Sequence, residues 1–405
     1  MFLTPLLHLM AEKSASDLFI TAGAPVCIKI RGNVMPVNNQ VLDAASVQRI
    51  AREVMSERQA EQFEQTLELN FSTGLPGVGI FRVNVFRQRG AVGMVIRHVK
   101  NQVPSLEQLR VPGRLKDLVM EKRGLILFVG STGSGKSSTL AAMIDHRNSV
   151  LPGHILTIED PIEYNFQHRR SLVNQREIGM DTRSYADALA SAMREAPDVL
   201  MIGEVRDRET MQQAITYAQT GHLCLTTLHA NNSYHALNRI LTFFSQDARA
   251  ALLMDLSMTL RAVVSQRLLR ANDGSLVPAV EVMLNTAAIA ELIRRGAFDQ
   301  IRDMMEQSLS PGSQTFEQSL FDLIRRGLVT PQEALANADS ATNLSWLIDN
   351  GQQAGGVRAP ASAPATPGAA SAAPPSAPRG PGDREPEPRT PGTDLGSFTF
   401  NFDVV

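Results

Sequence analysis

The hydrophobic pattern changes character twice along the 405-residue chain. Over the first hundred residues, apolar positions alternate with polar ones or recur at helical spacing. Phe81, Val83 and Val85 fall on one face of a strand and Arg82 and Asn84 on the other. Residues 92–99 pair with that strand as a hairpin across Gln88, Arg89 and Gly90. Residues 17–21 and 26–30 read as further strands, and a turn at 31–33 leads into the next. The apolar opening, residues 1–10, reads as an amphipathic helix. Val47, Ile50, Val54 and Phe63 lie among charges, so residues 46–67 read as one surface helix capped by Ser46. The expectation for residues 1–100 is an α+β domain whose sheet carries arginines, of a sensor or partner-binding type.

A linker over 101–115 separates this domain from a region where apolar runs are continuous. Residues 125–129, 155–158, 199–202 and 223–227 read as strands buried on both faces. Helical patterns at 184–195 and 208–220 fall between them, which predicts an α/β domain with a parallel sheet over 116–285. Residues 286–350 are expected to be helical, at 287–295, 298–307, 316–326 and 331–338, with stops at Gly296, Pro311-Gly312 and Gly327. In the last segment, 351–405, composition collapses into Ala, Pro, Gly and Ser, which predicts disorder. The chain ends with Phe398, Phe400 and Phe402 in alternation, either a frayed terminus or a tethered strand that docks on a partner's sheet edge.

Composition narrows the classes. A net charge of −2, one Trp and four Tyr argue against a nucleic-acid motor. With only Cys27 and Cys224, a four-cysteine zinc element is excluded, and free thiols fit a reducing cytoplasm. No apolar run reaches the ~18 residues of a membrane span, and the opening helix lacks the basic start of a signal peptide.

The chemistry begins where the first buried run ends. Gly130, Ser131, Thr132, Gly133, Ser134, Gly135, Lys136 and Ser137 form a Gly-x-x-x-x-Gly-Lys-Ser phosphate loop, with Ser138 opening a helix behind it. The glycines let backbone N–H groups face phosphate oxygens, Lys136 reaches the β- and γ-phosphates, and Ser137 can ligate Mg²⁺. ATP and Mg²⁺ are therefore the expected ligands. Three more clusters sit at strand ends, where parallel sheets place ligands. Glu159, Asp160 and Glu163 offer carboxylates to orient or deprotonate an attacking water, or else form a solvated acidic turn. Glu204 ends an apolar strand, where an acid can contact Mg²⁺ through water. Arg206 either joins it or makes a surface ion pair with Asp207. His222 and His229 frame a strand as candidate γ-phosphate sensors, the alternative being structural histidines.

These four elements, in this order, resemble the secretion-superfamily ATPases and, more narrowly, the type IV pilus retraction motors of the PilT/PilU branch. Walker A, Asp box, Walker B and His box correspond to residues 130–137, 157–164, 198–207 and 222–232. Residues 16–25 are similar to the family's N-terminal signature and 81–84 to one of its strands, while 262–269 and 292–296 are matched to its C-terminal helices. The resemblance spans about residues 1–350. It implies a RecA-like P-loop core with an N-terminal PAS-like domain and C-terminal helices. It makes Glu163 the general base and Glu204 the Walker B acid, and brings arginines, with Arg82, Arg97 and Arg110 as candidates, to nucleotide at a domain or subunit boundary.

The implied function is a hexameric motor that couples ATP hydrolysis to pilus retraction and twitching. Its implied partners are a paralogous retraction ATPase and the inner-membrane platform protein, reached peripherally from the cytoplasm. Residues 338–347 and the C-terminal extension resemble the accessory member of the branch. Residues 292–298 lack the lysine common after this glycine, and the proline-rich tail has no counterpart in the family. An assembly or type II secretion ATPase, a nucleic-acid translocase and a non-hydrolysing ring scaffold are the competing readings.

Overall fold

A computed structural model describes residues 2–354, apart from 31, 100, 101, 308 and 309. The expected disordered tail and its phenylalanines lie outside the described residues. The N-terminal strands are β1 (Asp17–Thr21), β2 (Pro25–Ile30), β3 (Asn33–Val41), β4 (Glu68–Leu75), β5 (Gly79–Gln88) and β6 (Ala91–Val99). They form one antiparallel sheet in the order β3-β2-β1-β6-β5-β4. Phe81, Val83 and Val85 do face inward, packing with Leu18, Ile20, Met94 and Phe63. The β5–β6 turn carries left-handed Arg89 (φ 49°) and Gly90 (φ 78°), the backbone that matches hairpin twist.

One expectation here is corrected. Residues 46–67 are two helices, Ala44–Val54 and Glu57–Thr66, not one. Asp43, rather than Ser46, caps the first, its side chain accepting the Ser46 N–H. Ser56 and Gln59 form a reciprocal capping box that starts the second, so a strong local initiation signal interrupts the helical period.

The second sheet is the one that positions the site. Its strands are β7 (Gly124–Val129), β8 (Gly153–Glu159), β9 (Ser171–Glu177), β10 (Val199–Ile202), β11 (Leu223–Leu228), β12 (Leu260–Arg270) and β13 (Leu276–Leu284). Their order is β13-β12-β7-β11-β10-β8-β9, parallel except for β13. Leu125, Leu127 and Val129 point into one helical layer while Ile126 and Phe128 point into the other, which explains the unbroken apolar run.

The segment 262–269, matched to a C-terminal helix, is instead the strand β12. Its β-branched Val263 and Val264 are buried in opposite layers, so packing on both faces selects extended backbone. The edge strand β9 escaped the sequence reading because its polar Asn174, Gln175 and Arg176 break the apolar run.

Beyond the sheet, the helix Ala287–Arg295 ends at left-handed Gly296, as its stop signal predicts. Its Ile289, Leu292 and Ile293 join the core of the parallel sheet, with Phe298, Ile301 and Met305 from the next segments. Helices Phe316–Arg325, Pro331–Ala336 and Ala341–Ala354 pack on the far part of the β12–β13 hairpin through Phe316, Leu320 and Leu344. Arg267 of β12 stacks over Phe316, its guanidinium carbon 4.0 Å from the ring centroid. The same guanidinium pairs with Asp339 and donates to the carbonyls of Asn337 and Asn231. The described residues thus belong to a single contact unit.

Phe128 has no solvent exposure and sits in the middle of the sheet. Phe128→Ala is expected to cost about 3–5 kcal/mol. Denaturant unfolding followed by circular dichroism measures the loss, and an unchanged midpoint contradicts the assignment of this layer.

Candidate active site

The parallel register sets the site by aligning strand ends. Val129 pairs with Leu228, and Ile202 lies level with Ile158 and Thr226, so four connecting turns emerge on one edge. The phosphate loop leaves β7, and the helix Lys136–Val150 begins at left-handed Gly135. A Cβ on Gly130 would meet Gln266 O and Ser134 Oγ at 2.5 Å, so the loop lies directly on β12. Thr139 Oγ1 ties the same helix to Gln266 at 2.9 Å. Gly133 has φ +79° and open space where a Cβ would stand, leaving backbone accessible from the cavity side. The Ser134 hydroxyl is buried in this loop with no partner among the described residues.

The Lys136 ammonium donates to the carbonyls of Gly130 and Ser131, both at 2.8 Å. Burial pulls its pKa down, and the charges of Glu204 and Glu163 oppose that shift. Ser137 Oγ donates to Glu163 Oε1 at 3.1 Å, and the Ser138 hydroxyl meets Tyr164 OH at 2.7 Å. The acidic turn after β8 is thereby brought to the start of the loop helix. Glu159 lies deeper, 8% exposed, with Oε1 accepting from Thr157 Oγ1 at 2.7 Å and Gln175 Nε2 at 3.2 Å. Burial raises its carboxyl to about 7, these two hydrogen bonds pulling the other way.

Across the cavity, Glu204 takes Arg206 Nε on Oε2 at 2.8 Å and His229 Nε2 on Oε1 at 3.1 Å. Arg206 also faces Asp160 at 3.6 Å. Asp207 is not its partner, because that carboxylate caps the helix Arg208–Gln219. One cavity of about 320 Å³ is lined by Thr132, Gly133, Lys136, Ser137, Glu159, Glu163, Glu204, Arg206 and His229. Its donors are hard oxygens, yet among the described residues no three His, Cys, Asp or Glu side chains could hold a metal alone. A magnesium ion suits such a place when phosphate oxygens and water complete its shell.

Four expected residues are elsewhere. His222 precedes β11, opposite His229, and bonds Thr220 Oγ1 at 3.1 Å. That is a strand length, roughly 20 Å, from the loop, so it does not reach this chain's cavity. Arg82 pairs with Glu177, and Arg97 pairs with Asp17 at 2.9 Å. Both line a separate gap of about 530 Å³ between the N-terminal sheet and the turn at Asp160 and Pro161. Arg110 stands in the linker with φ 56° and lines neither cavity. The sequence reading missed Tyr185, which lines the cavity, and Gln175, whose amide braces Glu159 and accepts the Phe166 N–H at 2.9 Å. Only recognition of β9 as a sheet strand would have flagged Gln175.

Comparison with known proteins places this geometry. The family described as "T2SSE: Type II/IV secretion system protein" matches residues 2–310. The chain belongs to that family. The "Type IV pilus ATPase PilU" of Pseudomonas aeruginosa is 49% identical over 86% of this chain and 91% of its own length. The "Type IV pilus retractation ATPase PilT" of the same species is 39% identical over 85% of this chain and its whole length. Among solved structures, "Crystal Structure of the Pilus Retraction Motor PilT and Bound ADP" superposes with a TM-score of 0.79. It is 40% identical, and the match covers 84% of this chain and 99% of that one. This type II/IV secretion family member is accordingly an ATPase with a phosphate-loop α/β core.

The buried Glu159 gives the family member a pH signature. Its ordinary value is 4.5 and its folded value about 7, so between these the folded state holds more protons than the unfolded state. Its contribution to stability therefore falls as pH rises through that window, by up to about 3 kcal/mol, and is flat above it. Glu159→Gln keeps an acceptor oxygen for Thr157 and Gln175 while removing the charge. Its melting temperature relative to the unmodified chain is expected to rise between pH 4.5 and 7, by calorimetry across pH. A pH-independent difference contradicts this.

Proposed function

We propose that this chain is a motor subunit that hydrolyses ATP to drive type IV pilus retraction and twitching, acting as the accessory retraction ATPase. The observation that carries the reading is the meeting of Lys136, Ser137, Glu163, Glu204 and His229 around one cavity in a chain so similar to PilU. Glu163 is the only one of the four cavity carboxylates bonded to Ser137 among the described contacts. From there it takes a proton from, or orients, the attacking water. Lys136 is poised to exchange its two carbonyl bonds for phosphate oxygens, which an ammonium with three donors can do without moving its stem. Glu204 is held by Arg206 and His229, so any change at its carboxylate is felt by both. Bound Mg²⁺ would supply charge neutralisation at the phosphates, with Ser137 and Glu204 as its protein-side contacts.

The assembly we infer is a homo-hexamer that works with a paralogous retraction ATPase and the pilus platform protein at the cytoplasmic side of the inner membrane. Support is the family membership and the absence, among the described residues, of a helix long and apolar enough to cross a membrane. Arg97 and Arg110 lie away from this chain's own cavity, which suits a site that a neighbouring subunit completes, while Arg82 is held by Glu177 of its own chain.

Glu163→Gln is expected to lower kcat for ATP hydrolysis by on the order of 10²–10⁴ while leaving ATP binding in place. A steady-state ATPase assay paired with nucleotide titration reads both quantities. Full activity in this variant would remove Glu163 from the role of base. In cells, deletion of the gene should alter twitching or surface pilus number with or without the main retraction paralogue, and normal pili in both backgrounds would sink the motor assignment.

A further inference from the structure

Glu177 ends β9, the edge strand of the parallel sheet, and no motif points to it. Its carboxylate is 10% exposed and touches two parts of the molecule at once. Oε1 accepts from the Arg82 guanidinium of β5, in the N-terminal sheet. Oε2 accepts from the backbone N–H of Ile162 at 3.2 Å, the residue immediately before Glu163. The root of the side chain is fixed. The Glu177 N–H donates to Asp181 Oδ2 at 2.9 Å, and its carbonyl accepts the Asp181 N–H at 2.9 Å. The strand itself is paired to β8 with Glu177 level with Glu159, and Ile178 N–H donates to Glu159 O at 2.9 Å.

The pair is badly arranged for stability. Arg82 Nε is buried with no partner among the described residues, so closing this ion pair leaves a donor unsatisfied. A partly buried pair with an orphaned donor contributes little net stability, and position is the remaining use for it. The gap beside it, about 530 Å³, places arginines on the N-terminal wall and Asp160 and Glu177 on the other. Any shift of the N-terminal sheet pulls on the carboxylate that anchors the turn holding Glu163.

We propose that Glu177 is the positioning residue through which the N-terminal domain sets the place of Glu163. The inference rests on the reading of Glu163 as the base. Arg82 and Ile162 share one rigidly rooted carboxylate, so the two domains cannot separate without changing the support of the 160–163 turn. Glu177 touches neither substrate nor reacting atoms, and its effect falls on turnover rather than on nucleotide binding.

Two substitutions separate its two contacts. Glu177→Gln keeps an oxygen for the Ile162 N–H and loses the charge for Arg82, whereas Glu177→Ala loses both. In the full chain with ATP, Glu177→Ala is expected to lower kcat about 10- to 100-fold, as a misplacement near 1 Å does, with KM within about 2-fold. Glu177→Gln should fall between this and the unmodified chain, and Arg82→Gln should match it. The Arg82→Gln/Glu177→Gln double variant should be no worse than either single one, because one contact is removed twice. An unchanged kcat in Glu177→Ala overturns the proposal. So do a loss explained by KM, a loss matched by a fall in melting temperature in every variant, or single effects that multiply in the double variant. Glu163→Gln measured in parallel keeps the two readings apart. If it is inactive while Glu177→Ala is normal, the positioning role alone fails; if it is active, the base assignment fails and the proposal with it.

Discussion

Everything at this site hangs on the parallel pairing of β7 with β11 on one side and β12 on the other. Backbone hydrogen bonds in that register bring the phosphate loop, the Glu204 turn and the His229 turn to one edge at about 5 Å strand spacing. β12 adds a floor, because Gln266 lies against Gly130 and bonds Thr139 of the loop helix. No side chain in the cavity could find its partners if this ladder slipped by one residue, since each would turn to the opposite face. The hydrophobic content of β7 is thus what specifies the chemistry. Alternate residues fill two separate layers, and only one register satisfies both.

The sequence was legible where one signal dominated. Residues 125–129 are apolar without interruption and end in three glycines, so strand, loop and helix could be placed, and their positions in the fold agree. Glu163, Glu204 and His229 follow apolar strands, and strand ends in a parallel sheet converge by geometry alone. The failures are also physical. Residues 262–269 carry apolar positions that suit either a helix or a doubly buried strand, and only the vacancy beside β7 decides between them. The helix over 46–67 was split by a capping box that the apolar period does not register. His222 looked equivalent to His229 because a sequence shows two ends of a strand without saying which one faces the loop. Glu177 and Gln175 were invisible for the opposite reason, since β9 is an edge strand and edge strands carry mixed residues.

The N-terminal domain and the core meet through polar contacts instead of a shared apolar layer. The hydrophobic clusters of the two are separate, with Phe81 and Val83 in one and Ile126 and Phe128 in another. Interfaces of this kind permit relative domain motion, in contrast to the C-terminal helices, which are joined to the sheet by Phe316, Leu320 and the guanidinium of Arg267. The linker around residues 102–113 thus joins two separately packed layers that still belong to one contact unit.

The charge census of the cavity has its own consequence. Glu159, Asp160, Glu163 and Glu204 line it against Lys136 and Arg206, so acids outnumber bases in a partly desolvated space. That balance shifts with pH, because burial raises the Glu159 carboxyl to about 7 and the lining carries one negative charge fewer below that value. The carboxylates therefore weigh less against an incoming anion on the acid side of that value than on the alkaline side.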